Sequence, residues 1–244
     1  MAGRLPEEEV RHPVSRQRWR TMTFLHWAYD PAVVQRLMPP QLEVDTYGGR
    51  AWVSMTPFVM ADFRLNGLPA LPGLSTFPET NVRTYVRGPS GPLSGVAGHR
   101  GDGLWFLSLE AHSLPTVVAA SILYGVPYRW ADMAVDEGEV TRYRSRRRLG
   151  SPAGHDITVR AGAPCPAPSE LDHWLTGRWR AWTRVAGRLA TVPVAHQPWP
   201  LREATVVALE QTLLAAVGLP EPEGAPLVHV SPGVDVRLGR PRPA

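Results

Sequence analysis

The sequence predicts a β-rich α+β fold, and three observations predict it. Its 244 residues include 26 prolines and 22 glycines, which divide the chain into short elements joined by turns. Several stretches are dense in valine, threonine, tyrosine and phenylalanine, as strands are; the clearest is Phe77-Pro78-Glu79-Thr80-Asn81-Val82-Arg83-Thr84-Tyr85-Val86. Only a few segments carry helix start and stop signals. A hydrophobic fraction of 43% and nine tryptophans mark a globular chain with a sizeable core.

Taken in order, residues 1–16 are polar and predict a frayed terminus, and 17–240 predict a single domain. Residues 17–27 form a strand ending at His26-Trp27. Asp30 caps a short helix over 31–38, with Pro31 at its first position and Pro39-Pro40 stopping it. Residues 42–47, the Gly48-Gly49 turn and 50–56 form a hairpin. Residues 64–76 are an irregular, leucine-bearing loop placed to lie over a pocket mouth. After the 77–86 strand comes a glycine-rich loop over 89–103, and then a nearly continuous apolar strand over 104–110.

Ser113 opens a helix over 114–124 that is apolar almost all round, which predicts full burial; Gly125 and Pro127 close it. Residues 133–162 hold two or three antiparallel strands, with turns at 136–138 and 150–152. Ser169 and Asp172 form an approximate capping box for a short helix. Residues 178–185 and 188–194 are strand-like. Residues 203–217 form the clearest helix, with Val206, Leu209, Leu213 and Val217 as its buried stripe. A last strand at 227–231 turns at Pro232-Gly233 into 234–236.

Side chains alternate faces along a strand. Glu79, Asn81, Arg83 and Tyr85 therefore share one face of the 77–86 strand, and Val82, Thr84 and Val86 share the other. An acid, an amide, a guanidinium and a phenol in a row make either a solvated face or the wall of a polar site. Arg83 suits a carboxylate ligand, and Glu79 suits general acid or base work if burial raises its pKa. A structural Glu–Arg ion pair fits the same residues. His26, His112 and His196 stand next to predicted element ends, and Glu110 ends an apolar strand as a plausible cavity carboxylate.

Composition excludes several classes. All 26 basic residues are arginine, so no side-chain amine exists to form a Schiff base. The net charge of +4 permits nucleic-acid binding without arguing for it. The run Arg142-Tyr143-Arg144-Ser145-Arg146-Arg147-Arg148 mostly alternates, as the solvent face of a strand does, and no nucleic-acid motif accompanies it. The lone Cys165 rules out an internal disulfide and fits a reducing compartment. Residues 1–20 have no apolar segment and no run of about 18 apolar residues occurs, so a cytoplasmic protein without a membrane span is expected. His-x-His, His-Glu-x-x-His and Cys-x-x-Cys spacings are missing, as are glycine-rich nucleotide loops and the Gly-x-Ser-x-Gly elbow, so neither metal nor cofactor is expected.

The chain resembles the DUF2071 (YqjF-like) family. The resemblance rests on Phe24-Leu25-His26-Trp27, Ala51-Trp52-Val53, the whole 77–86 strand and Trp105-Phe106-Leu107-Ser108-Leu109. It continues through Leu123-Tyr124-Gly125-Val126-Pro127-Tyr128, Leu175-Thr176-Gly177-Arg178-Trp179, His196-Gln197-Pro198-Trp199-Pro200-Leu201 and Ser231-Pro232-Gly233-Val234-Asp235-Val236, covering about residues 17–237. It implies a fold like that of acetoacetate decarboxylase: an antiparallel β-barrel or double sheet with a few packed helices. Decarboxylases of that fold carry an acid inside the cavity on the strand that matches 77–86. They place their Schiff-base lysine after a Gly-Tyr-Pro turn, which here reads Gly125-Val126-Pro127 and is followed by Tyr128 and Arg129.

With no lysine, the resemblance cannot extend to imine chemistry. Two further departures are Gly177, where relatives often carry an acid, and Ser121, where arginine is common. The expected site therefore has Glu79, Tyr128 and His112 as acid/base groups. Asn81, Arg83, Arg129, His26, Glu110, Tyr85 and His196 are its ligand-binding groups. The expected activity is that of a cofactor-free lyase, isomerase or cyclase acting on a small oxo- or hydroxy-acid or a natural-product intermediate. A non-catalytic protein that holds or senses a small apolar or aromatic acid in the barrel cavity, and a structural or interaction protein whose barrel is filled by its own side chains, remain open alternatives. Exposed strand edges leave a homodimer open as well.

Overall fold

The computed structural model describes residues 5–6, 9–89 and 101–244. The elements in order are β1 (Ser15–Tyr29), α1 (Pro31–Gln35), β2 (Glu43–Val44), β3 (Thr46–Tyr47), β4 (Arg50–Leu65), β5 (Phe77–Arg87) and β6 (Asp102–Ala111). They continue with α2 (Leu114–Tyr124), β7 (Tyr128–Asp136), β8 (Thr141–Arg147), β9 (Gly154–Pro164), α3 (Glu170–Thr176) and β10 (Arg180–Val185). The last are β11 (Arg188–His196), β12 (Arg202–Gln211), α4 (Leu213–Ala216), β13 (Leu227–Leu238) and β14 (Arg242–Pro243). Most of the predicted 89–103 loop lies outside the described residues.

The centre is a five-stranded antiparallel sheet, β13-β1-β4-β5-β6. Its two edge strands fork. The first half of β6 pairs with β10 and its end pairs with β7, both in parallel. The start of β13 pairs with β12 and its end with β11. One bridge between the forks is β10-β11, and the other is β7-β8-β9-β12. Each closes a ring of strands on one face of the central sheet. The result is a double sheet with the topology of two rings that share a wall, predominantly antiparallel as the sequence predicts.

The two faces divide by chemistry. Leu25, Trp27, Val53, Met55 and Val82 point to one side, where they pack with Ile157 of β9 and with Leu213 and Leu214 of α4. All are almost fully buried, and each such side chain stabilises the fold by about 1.5–3 kcal/mol. Phe24, Phe58, Met60 and the Glu79-Asn81-Arg83 stripe point to the other side, toward the β10-β11 bridge. Thr21, with φ of 49°, breaks the alternation of β1, so Gln17 and Trp19 reach the same face as Met22.

Several elements differ from the sequence expectation. Residues 203–217 are not a helix; β12 covers most of them, and only Leu213–Ala216 is helical. A bulge at 206–208 inserts one residue, so the inward side chains fall at Val206 and Leu209 rather than Val206 and Ala208. That spacing of three imitates helical periodicity. Pro232-Gly233 is not a turn either: β13 runs straight through it in unbroken register with β1. Gly233 is needed because its φ is 128° and a Cβ would sit 2.0 Å from the Trp19 carbonyl oxygen. The N-terminus is packed earlier than expected, with Val10 and Pro13 buried and β1 starting at Ser15.

Helix α2 is not buried all round. Thr116, Val117, Ala120 and Tyr124 face the protein, while Leu114, Val118, Ile122 and Leu123 are exposed. The 66–76 loop does not line the cavity; only Phe63, at the end of β4, reaches it, and Leu68, Leu71 and Leu74 face solvent. Exposed Arg142, Arg144 and Arg148 pair with Asp156, Asp136 and Asp132, as a solvated strand face would.

Gly125 ends α2 in the left-handed region, at φ of 63°, and a Cβ there would lie 1.9 Å from the Arg184 carbonyl oxygen. The turn is thus clamped against β10, which fixes where Tyr128 begins β7. Gly125→Ala is expected to cost at least about 1–3 kcal/mol from the backbone alone, with the clash added. Thermal unfolding measures it; an unchanged midpoint would show that the clamp is loose.

Candidate functional site

The polar stripe of β5 faces a cavity enclosed by the ring containing β10 and β11. The cavity has a volume of about 100 Å³, room for a ligand of a few heavy atoms. Trp19, Met22, Phe58, Phe106 and Trp199 supply apolar wall, and α2 and Tyr128 close one end. Glu79, Asn81, Arg83, Arg178 and His196 supply the polar groups.

Glu79 is buried, and the Tyr128 hydroxyl donates to its Oε2 at 3.1 Å. Asn81 also hydrogen-bonds this carboxyl. Burial opposes the charged form and outweighs both bonds, raising the Glu79 pKa from 4.5 to about 8. Glu79 therefore holds a proton at neutral pH. Tyr128 is held well above its ordinary value by burial and by the Glu79 carboxyl, so it acts as a hydrogen-bond donor and not as a base.

Arg83 stands four residues along the same face, about 13 Å from Glu79 at the Cα level. The two make no ion pair among the described residues, which removes the structural Glu–Arg pair as an account of this stripe. The Arg83 guanidinium lies 5.8 Å from the Phe24 ring centroid, hydrogen-bonds Tyr85, and leaves its buried Nε without a partner. Burial lowers its pKa. No acid compensates it among the described residues.

Arg178 is not among the expected site residues, yet it lines the cavity. It pairs with buried Asp45 at 2.9 Å and with Asp102 at 3.3 Å, and its Nη2 has no partner. These two aspartates supply the negative charge that Gly177 lacks. The signal for it is the Leu175-Thr176-Gly177-Arg178-Trp179 motif directly after the capped helix.

His196 lines the cavity, with its Nδ1 donating to the Gln197 carbonyl oxygen at 2.6 Å. Burial lowers its pKa to about 4, so it is neutral with Nε2 free to accept. His26 and Tyr85 lie behind the cavity wall. His26 Nδ1 and the Tyr85 hydroxyl each meet Ser54 Oγ at 2.6 Å, and Tyr85 donates to the Leu175 carbonyl oxygen. Tyr85 thus supports Arg83 rather than lining the site.

Three expected site residues lie elsewhere. Glu110 faces the opposite ring, where Arg147 holds it at 2.8 Å and Ser108 donates to it. His112 is exposed; its Nδ1 accepts from the Met133 backbone N–H, and its carbonyl oxygen accepts from the Trp130 indole. Arg129 is exposed because strand alternation turns it outward when Tyr128 turns inward. Among the described residues, no group of three or more His, Cys, Asp or Glu side chains is placed to hold a metal ion. No helix among them is long and apolar enough to cross a membrane.

Comparison with known proteins agrees with this architecture. The family model of DUF2071, described as an uncharacterized conserved protein, matches residues 16–235. The chain belongs to the DUF2071 family. A relative, the uncharacterized protein YqjF of Bacillus subtilis, is 34% identical over 243 residues, spanning 97% of this chain and 96% of YqjF. Among solved structures, acetoacetate decarboxylase from Legionella pneumophila aligns with a TM-score of 0.66 at 13% identity, over 95% of this chain and 87% of that one. The enduracididine biosynthesis enzyme MppR complexed with pyruvate aligns at 0.63 and 12%, over 97% and 93%. An acetoacetate decarboxylase-like enzyme from Sphingomonas wittichii aligns at 0.62 and 13%, over 98% and 96%. The DUF2071 chain therefore has the acetoacetate decarboxylase-like fold.

Proposed function

We propose that this DUF2071 protein is an acid/base enzyme of the lyase, isomerase or cyclase type that acts on a small oxo- or hydroxy-acid. One observation carries the reading: a fully buried carboxyl, its pKa raised by burial, and a buried guanidinium with no acid partner among the described residues line one cavity. Arg83, with the free Nη2 of Arg178 beside it, binds the substrate carboxylate. Glu79 donates its proton to the carbonyl oxygen or to a leaving hydroxyl, and its carboxylate then takes a proton back. Tyr128 orients Glu79. The chain has no lysine, so no imine forms with a side chain. The pyruvate complex of MppR supports an oxo-acid as the class of ligand.

The test is turnover of a panel of short oxo- and hydroxy-acids. Glu79→Gln is expected to lower kcat by about 10²–10⁴-fold, Tyr128→Phe by less, and Arg83→Met to raise KM. Equal turnover in wild type, Glu79→Gln and Tyr128→Phe would sink the assignment. A second reading, a non-catalytic binder, is favoured by Tyr128 and His196 both being held away from neutral titration. Calorimetric binding without turnover, kept in Glu79→Gln, would support that reading instead.

A further inference from the structure

Three arginines stand side by side across three neighbouring strands. Arg16 of β1 is directly paired with Arg64 of β4 on one side and with Arg237 of β13 on the other. Paired residues of antiparallel strands point to the same face with Cβ atoms about 4.5–5.5 Å apart, where like charges repel. The fourth strand adds no acid to the row, since Arg237 pairs with Ala195 of β11.

One alternation further along, the same strands do provide an acid: Arg18 is paired with Asp235 and donates to it at 2.8 Å. Among the described residues, Arg16 of the row reaches only Asn66 Oδ1 at 3.5 Å and Arg64 only the Asp62 carbonyl oxygen at 3.1 Å. Arg237 makes no ion pair among the described residues.

The row lines a groove of about 940 Å³ that shares Gln17 and His196 with the inner cavity. Of the groove's acids among the described residues, Asp235 is engaged by Arg18, Glu9 by Arg11, and Asp62 acts on Arg18 from further off.

We infer that the Arg64-Arg16-Arg237 row is a binding site for a phosphate-type oxyanion, on the sheet face opposite the one that Gln17 turns to the inner cavity. The oxyanion lies between neighbouring guanidinium groups, accepts their unmatched N–H donors and relieves their mutual repulsion.

The experiment is thermal unfolding and calorimetry with inorganic phosphate, and with phenyl phosphate, against sodium chloride at equal ionic strength. Phosphate is expected to raise the midpoint saturably where chloride does not. Arg16→Gln/Arg237→Gln is expected to weaken phosphate binding roughly tenfold or more and, without phosphate at low salt, to unfold at a higher temperature than wild type. Arg64→Gln alone reads the same row should the double variant not fold.

Arg83→Gln is expected to keep the phosphate response, which separates this site from the proposed catalytic one. A stronger response to phenyl phosphate than to inorganic phosphate supports the seat of a phosphorylated small molecule. Equal responses support a seat for the free oxyanion. An undiminished response in the row variants, a response lost in Arg83→Gln instead, or an equal effect of chloride would overturn the inference.

Discussion

Arg147→Met is expected to destabilise the protein by about 3–5 kcal/mol at neutral pH. Arg147 donates to both oxygens of Glu110 and to Ser108, and the Glu110 side chain is completely buried. Removing the guanidinium leaves a buried carboxyl whose remaining donor is Ser108. In a chain of this length the loss lowers the unfolding midpoint by roughly 6–20 °C. Arg147→Met/Glu110→Leu should recover much of it, because two buried charges are exchanged for apolar volume. Chemical denaturation measures both. A single-variant loss under about 1 kcal/mol would mean that the pair is wetter than its geometry.

Glu79→Gln is expected to change how stability depends on pH. The folded protein holds the Glu79 proton up to about pH 8, whereas an unfolded glutamate releases it near 4.5. This group therefore contributes stability that is full below pH 4.5 and is lost as pH rises toward 8. The buried histidines act in the opposite sense. His155 and His196 are lowered to about 4, and His26 is lowered too, each chiefly by burial. Their contribution is present above about pH 6.5 and is lost as pH falls toward 4. Wild type should thus lose stability on both sides of a maximum. Glu79→Gln should lose its alkaline limb between pH 6.5 and 8, an effect on the order of a few kcal/mol, and keep the acid limb. Parallel curves for the two proteins would contradict the buried, protonated Glu79.

Much of the fold and part of the site are legible in the sequence, for physical reasons. The stripe at Glu79, Asn81 and Arg83 can be read because period-two alternation is rigid, and the flanking Val82 and Thr84 mark the other face. The lack of lysine excludes imine chemistry on composition alone. Local patterning does not say which ring a residue faces. Glu110 shares its strand with cavity-lining Leu109, so one step of alternation moves it to the opposite face.

Bulges are the other source of error. At 206–208 a single inserted residue turns a strand pattern into a helical one. Arg147 does leave a signal. Three consecutive arginines at 146–148 cannot all lie on the solvent face of one strand, and the middle one is the buried partner of Glu110. Arg178 is invisible to alternation, since it follows a helix and is placed by long-range pairs to Asp45 and Asp102.

Infrared difference spectroscopy of wild type minus Glu79→Gln, titrated from about pH 5 to 9, reads the Glu79 proton itself. A protonated-carboxyl C=O band that belongs to Glu79 is expected to persist at neutral pH and to disappear with a midpoint near 8. A Glu79 carboxyl already ionised at pH 6 would contradict it.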